Sequence, residues 1–271
     1  MLKEKRIVLL ALIMLAVASS GCILSKTPST NDVSMTLGEQ MTFSVNVFPS
    51  NATYAWTLDE VTISNTDKSY VYTAEAGKHT LVVKAKHILV TDTQTWNITV
   101  SSYDIGDTGP AGGWIFYDKG SYSDGWRYLE AAPSDQTTDQ KIQWYNGSNI
   151  ETEATGTEVG TGKTNTTLIV NAQGDGSYAA KLCDDLSITN NGVVYDDWFL
   201  PSIDELYLMY QNLYVPGISG FVVVDDYYWS SSEEVSGDGP LYAQILYFNG
   251  SGTIGWTSKS ALLPVRAARA F

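Results

Sequence analysis

Between Met41 and Val100 the chain is written almost wholly in period two. In "MTFSVNVF" (41–48), Phe43, Val45 and Val47 alternate with Thr42, Ser44 and Asn46, the pattern of a strand with one face buried and the other wet. "ATYAWTL", "SYVYTA", "HTLVVKA" and "TQTWNITV" repeat it, separated by turn-prone "FPSN", "SNTDK" and "EAGK" and by a looser stretch near Ile88. Short strands at this spacing, with no helical segment among them, predict an all-β sandwich over residues 33–101.

What precedes the strands sets the address. Lys3, Lys5 and Arg6 stand before the unbroken apolar run 7–18, and Ser19, Ser20, Gly21 and Cys22 follow. A basic start, a short apolar core and small residues before a cut describe a secretory signal over residues 1–21; roughly 20 apolar residues would be needed to span a bilayer. Small residues ending on a cysteine resemble the lipobox of bacterial lipoproteins. That resemblance implies that Cys22 is lipidated and opens the mature chain, and it places the protein in the bacterial cell envelope, at the outer membrane or cell surface. Residues 22–32, rich in Ser, Thr, Pro and Asn, read as a tether.

Charge and cysteine use narrow the partners. The whole chain carries −14, and the first 21 residues hold three cations and one anion, so the remainder carries −16. Nucleic acid needs clustered Lys and Arg and is excluded as a partner; contact with a membrane is expected through the anchor alone. With Cys22 lipidated, Cys183 has no disulfide partner, and "SYAAKLCDDL" reads as a helix with a buried structural thiol. Seventeen Tyr and eight Trp suit a secreted binding protein.

The remainder, 102–271, begins with the turn-rich seam "SSYDIGDTGPAGG" and mixes short strands with two helices, an α+β pattern. "GGWIFYD" and "WRYLEAAP" read as paired strands, residues 143–167 as a Gly- and Thr-rich loop, and "YYWSSSE", "LYAQILYFNG" and "LLPVRAARAF" as closing strands. In the last of these, Arg266 and Arg269 would face opposite sides. The second helix lies in "DWFLPSIDELYLMYQNL": Ser202 and Glu205 have the spacing of a capping box, Pro201 stiffens the approach, and Ile203, Leu206, Met209, Tyr210 and Leu213 form one apolar face.

Catalysis finds no support in these residues. No histidine occurs after His87, which removes Ser-His-Asp and Cys-His arrangements from the second half and a zinc site with them. Carboxylate pairs such as Asp184/Asp185 and Glu233/Glu234 are sequence neighbours, and on a strand neighbours point apart. "NAQGDGSYAAKL" starts like a calcium loop but has Leu182 where the closing glutamate belongs. His79 and His87 read as strand-surface residues. The expectation is a protein without catalytic residues, metal or cofactor.

Two resemblances add to this reading. "YAWTLD" and "YVYTAEAGKHTLVV" resemble the polycystic-kidney-disease (PKD) and related bacterial Ig-like domains, which implies that Trp56 fills a sandwich core. In the second half, "IGDTGPAGGWIFYD", "GWRYLEAAP", "GSYAAKLC", "DWFLPSIDELYLMYQNL", "YWSSSE" and "VRAARAF" resemble, in this order, the C-terminal domain of the bacterial collagen-like adhesin Lcl. That resemblance implies a C-type-lectin-like fold, with a small sheet, two helices and long loops, and an extracellular binding role. It assigns structural positions to Trp198, Leu200, Pro201, Ser202 and Glu205, to Trp229, Ser230, Ser231 and Ser232, and to Arg266 and Arg269. Buried arginines need partners, and Glu205 or Glu233 is the expected one.

Ligand contact then falls to loop aromatics and amides: Tyr227, Tyr228, Tyr242, Tyr247, Asn249 and Trp256. Aromatic faces stack on sugar C–H groups at low entropic cost. From Asp104 onward there are 8 basic and 22 acidic residues, a field that repels sulfated polymers and favours a neutral glycan or a protein. The expectation is an adhesin-like surface lipoprotein. The alternatives are a structural envelope lipoprotein making only protein contacts and, less favoured, a glycan-active enzyme.

Overall fold

A computed structural model of the chain describes residues 23–48, 50–88, 90–137, 141–218, 221, 226–234 and 240–271. The expected signal segment (1–21) and the expected lipidation position, Cys22, lie outside the described residues. The chain divides into two compact units: one runs to Ser102 and takes in Ser121–Gly125, and the other comprises Tyr103–Gly120 and Trp126–Phe271.

The first unit is an Ig-like sandwich of two sheets. One is built from β1 (Ile23–Thr27), β3 (Gln40–Val47) and β6 (Ser69–Thr73), with β3 in the middle. The other is ordered β2-β8-β7-β4-β5, from β2 (Asp32–Thr36), β8 (Val90–Ser101), β7 (Gly77–His87), β4 (Thr53–Leu58) and β5 (Val61–Ile63); β2 joins β8 in parallel, and the other neighbours are antiparallel. Period two does what it predicts: Phe43, Val45, Leu81, Val83, Trp96 and Ile98 are buried between the sheets while Thr, Lys and Asn alternate outward. Trp56 is fully buried, its ring parallel to that of Trp96 at 6.1 Å. Both indole N–H groups are satisfied, by Asp67 O at 2.9 Å and Pro28 O at 3.1 Å, as buried Trp requires. The expected tether is corrected here. Ile23–Thr27 pairs with β3 from Ile23↔Val47 to Thr27↔Ser44, because extending the sheet satisfies backbone groups that a free tether would leave to water.

The second unit is layered about the sheet β13-β14-β15, formed by β13 (Asp226–Glu234), β14 (Tyr242–Phe248) and β15 (Ile254–Ser258). Neighbouring residues on these strands belong to different cores. Trp229, Ala243 and Ile245 pack with Trp144, Ile169, Tyr178 and Cys183 on one side; Tyr228, Leu246 and Phe248 pack with Phe116, Leu129, Leu206 and Leu213 on the other. Beside it lies β16-β10-β9, from β9 (Trp114–Ser123), β10 (Trp126–Ala131) and β16 (Ala268–Ala270). The β9–β10 turn is Asp124-Gly125, both at positive φ (54° and 84°), the backbone a tight hairpin demands and glycine supplies without strain. A further hairpin pairs β11 (Ile188–Asn190) with β12 (Val193–Tyr195).

Among the described residues three helices complete this unit: α1 (Gly162–Gln173), α2 (Ala179–Asp184) and α3 (Ile203–Met209), the last running into a π-helical turn at Tyr210–Tyr214. α1 corrects the reading of 143–167 as loop throughout: the loop ends at Gly162. Its run "GKTNTTLIVNAQ" is rich in β-branched residues of modest helix propensity, and burial of Asn165, Thr166 and Ile169 overrides that preference. The final strand is also shorter than expected. Only Ala268–Ala270 forms a ladder, and every residue from Leu263 to Arg269 is buried.

Candidate functional site

The "DWFLPSIDELYLMYQNL" segment is built around Glu205. Ser202 Oγ accepts the Glu205 amide at 3.3 Å and Glu205 Oε2 accepts the Ser202 amide at 2.8 Å, closing the capping box. The same carboxylate also accepts the Gly160 amide on Oε1 at 2.8 Å and the amide of Gly162, the first residue of α1. One buried carboxylate thus serves the starts of two helices, where their dipoles favour a negative group. Burial pushes its pKa up, and the Ser202, Gly160 and Gly162 amides oppose that shift. Backbone amides thus take both carboxylate oxygens of Glu205.

The arginines pair inside the fold, but not with Glu205 or Glu233. Arg266 is fully buried; its Nε donates to Asp135 Oδ1 at 2.6 Å and its Nη1 to Ala132 O at 2.9 Å. Arg269 reaches Asp197 through Nε (2.8 Å) and Nη2 (3.0 Å), and Glu130 through Nη1 at 3.1 Å. Glu130 accepts the Ala111 amide at 3.1 Å and the Gly113 amide at 2.8 Å, so the seam loop and the last strand hold one carboxylate between them. Glu233 instead pairs with buried Lys259 and accepts the Thr152 amide at 2.8 Å and its hydroxyl at 2.7 Å; Lys259 Nζ also lies 4.5 Å from the Trp144 ring centroid. These partners stand 131 and 139 residues away for the arginines and 26 for the lysine, beyond the reach of local sequence patterns.

The remaining structural positions are also accounted for. Trp198 Nε1 donates to Tyr195 O at 3.0 Å and Trp229 Nε1 to Ile142 O at 2.9 Å. Pro201 O accepts the Ser231 amide at 2.8 Å. Ser230 donates to Gln244 O at 2.8 Å, Ser232 to Gly156 O at 2.7 Å, and Ser231 Oγ accepts Asn165 Nδ2 at 3.3 Å. The three serines sit where the β13–β14 register shifts, between Trp229 and Glu233.

The expected ligand residues separate into four groups. Tyr228 is corrected to core: it is fully buried and its hydroxyl donates to Asp135 at 2.7 Å, because its face of β13 packs against Phe221 and Phe248. Tyr227 and Tyr247 are cross-strand partners with rings stacked at 4.4 Å. Asn249 shapes the β14–β15 turn, its Oδ1 accepting the Ser251 amide at 2.9 Å, while its carbonyl accepts the Tyr210 hydroxyl. Tyr242 and Trp256 meet edge to face at 4.9 Å. Tyr242 and Tyr247 are five residues apart on one strand, which turns the two aromatic pairs to opposite faces.

Among the described residues, the Trp256 face brings an exposed aromatic ring beside polar groups. Trp256 stands 57% exposed on edge strand β15, opposite Gln244 of β14. Gln244 Nε2 donates to Glu234 Oε2 at 3.0 Å. Trp256, Tyr242, Gln244 and Glu234 thus form a small platform: an exposed indole with a tyrosine ring against it edge to face, an amide, and a carboxylate able to accept hydrogen bonds from hydroxyls. Gln244 was not singled out from sequence and Glu234 only as one of a carboxylate pair, although the i, i+2 spacing from Tyr242 to Gln244 puts those two on one face.

No protein-family model and no curated protein matches this chain. Solved structures similar to part of it include the fibronectin(III)-like modules of Clostridium thermocellum CbhA, 17% identical, with 30% of this chain and 98% of that one covered and a TM-score of 0.25. The N-terminal four Ig domains of Dscam1 isoform 4.44 are similar at 9% identity over 30% of this chain, with a TM-score of 0.27. The match spans about a fifth (21%) of the Dscam1 chain.

Proposed function

We propose that the protein is a lipid-anchored binding protein of the bacterial envelope, adhesin-like and non-catalytic, whose second unit is a C-type-lectin-like head of the Lcl type. The observation that carries the binding role is Trp256, 57% exposed and set against Tyr242 beside the Gln244–Glu234 pair. An exposed indole braced by a second ring gives a flat apolar face at low entropic cost, and the adjacent amide and carboxylate supply direction. The acidic balance of this unit disfavours sulfated or phosphorylated ligands. The ligand class is therefore a neutral glycan.

The test is a glycan array probed with the mature protein and with Trp256→Ala and Tyr228→Phe. Saturable binding to neutral glycans, lost in Trp256→Ala and kept in Tyr228→Phe, is the expected result. Binding retained by a folded Trp256→Ala variant overturns the platform. Absence of binding to every glycan overturns the ligand class and favours an envelope protein that makes protein contacts only.

A further inference from the structure

The end of the first unit beside Cys22 differs from the rest of its surface. β1 begins at Ile23, which pairs with Val47 and donates its amide to Asp92 Oδ2 at 3.0 Å. Asp92 pairs with Ala85 in the β7–β8 ladder, whose turn holds Ile88, and Lys86 of that ladder pairs with Thr53, where the connection after Phe48 returns as β4. Ile23, the β3–β4 connection and the β7–β8 turn therefore share one pole. Leu24, Phe48 and Ile88 are 70%, 60% and 84% exposed there, three of the five large apolar side chains that this unit leaves exposed among its described residues. The other two, Val61 and Val71, lie elsewhere; Val61 pairs with Leu58, at the end of β4 remote from Thr53.

Single exposed apolar residues are ordinary on a protein surface, whereas three gathered at one pole mark an interaction surface. The charges nearby fit one partner. Lys84 and Lys86 are exposed on β7, and the carboxylate closest in register, Asp92, already accepts the amides of Ile23 and Thr93. Apolar tips rimmed by lysine suit the boundary between acyl chains and phosphates. A segment that merely joined an anchor to a fold would be long and polar. Here the first strand starts one residue after the cysteine, and consecutive Cα atoms are only about 3.8 Å apart.

We propose that this pole is a membrane-docking surface, in place of the contact through the anchor alone that the net charge predicts: Leu24, Phe48 and Ile88 enter the interfacial layer of a phospholipid bilayer, and Lys84 and Lys86 meet its phosphates. The lipid anchor supplies proximity, and in that respect the inference rests on the anchored reading above. The three side chains add a defined contact that one acylated residue, free to swivel, does not provide.

Photo-crosslinking tests this in the full chain. A benzophenone-bearing amino acid replaces Phe48, Ile88 or Val61 in turn, and the protein is irradiated on vesicles of phosphatidylethanolamine and phosphatidylglycerol. Mass spectrometry reads both the phospholipid adduct on the labelled peptide and the acyl chains on Cys22. Adducts at positions 48 and 88, at least tenfold above position 61, support the docking surface whether or not Cys22 is acylated. Adducts without acylation would overturn the anchor alone. Acylated protein with no more adduct at 48 and 88 than at 61 overturns the docking surface and leaves the anchor standing. Neither acylation nor adduct overturns both.

Discussion

Replacing Arg266 by alanine tests how the second unit is held together. The guanidinium is fully buried between Asp135, the Ala132 carbonyl and the Phe221 ring, whose centroid is 4.3 Å away. Asp135 is 3% exposed and accepts the Tyr228 hydroxyl at 2.7 Å. Truncation leaves that carboxylate out of water without its cation, and breaking a buried pair from one side costs about 3–5 kcal/mol. At about 0.05–0.15 kcal/mol per residue, a unit of this size has roughly 8–25 kcal/mol to lose. Each kcal/mol lowers the midpoint of a 150–250-residue domain by about 2–4 °C, so the second-unit transition should fall by about 6–20 °C. Calorimetry is the assay, with the first-unit transition as internal reference. Replacing the set together, as Arg266→Met, Asp135→Leu and Tyr228→Phe, should recover most of the loss, since apolar groups of similar volume replace buried pairs at little cost. An Arg266→Ala protein within about 1 kcal/mol of the parent, or a triple variant no more stable than the single, would refute the reasoning.

Gly162 should reverse an ordinary rule. Alanine in place of a helical glycine normally stabilises by about 0.5–1 kcal/mol, but a Cβ at Gly162 would collide with Glu205 Oε2 and lie 2.8 Å from the Ser202 amide nitrogen. Gly162→Ala should therefore destabilise by about 1–3 kcal/mol in urea unfolding; a stabilised variant would show that Glu205 does not hold α1. In the first unit, His79 Nδ1 lies 2.7 Å from Asp59 Oδ2. The hydrogen bond to Asp59 raises the His79 pKa above its usual 6.5, and the same bond lowers that of Asp59 below 3.8. The raised histidine contributes stability fully below 6.5 and loses it as pH climbs through the folded value; the lowered aspartate contributes above 3.8 and loses it as pH falls through its own. The pair is thus strongest between these limits, by no more than about 1 kcal/mol because Asp59 is 46% exposed. A first-unit midpoint that declines between pH 6 and 8.5 in the parent and stays flat in Asp59→Asn is the expected calorimetric result; equal slopes would refute it.

Local rules made some of this molecule legible. The box at Ser202 and Glu205 needs only four consecutive residues, and the sandwich strands need only alternation, so both could be read directly. Contacts that join distant segments could not. Arg266 and Arg269 demanded carboxylates, yet nothing in a linear chain ranks Asp135, Asp197 and Glu130 above Glu205. α1 was hidden because its β-branched residues carry no helical signature, and tertiary burial decides its state. Tyr228 and Tyr227 are indistinguishable by composition; strand geometry turns them opposite ways, so that Tyr228 packs on Phe221 and Phe248 while Tyr227 stays 39% exposed. The platform was half visible, through Tyr242 and Trp256, while Gln244 and Glu234 emerged once the strand register was known.

Glu130 has a consequence for synthesis. It clasps the amides of Ala111 and Gly113 at the start of the second unit and the guanidinium of Arg269 at its end, and the Phe271 carbonyl accepts the Arg127 and Tyr128 amides. A chain emerging N-terminus first can close the sandwich ladders early, because their partners are all present by Ser101. The second unit must wait for Arg269 before Glu130 and Asp197 have their cation, and contacts of that sequence separation form slowly. Until Val265, Ala267 and Ala268 emerge, both cores of this unit stay incomplete, a state open to aggregation and proteolysis. Nascent chains stalled just short of Arg269 would be where quality control of this protein acts.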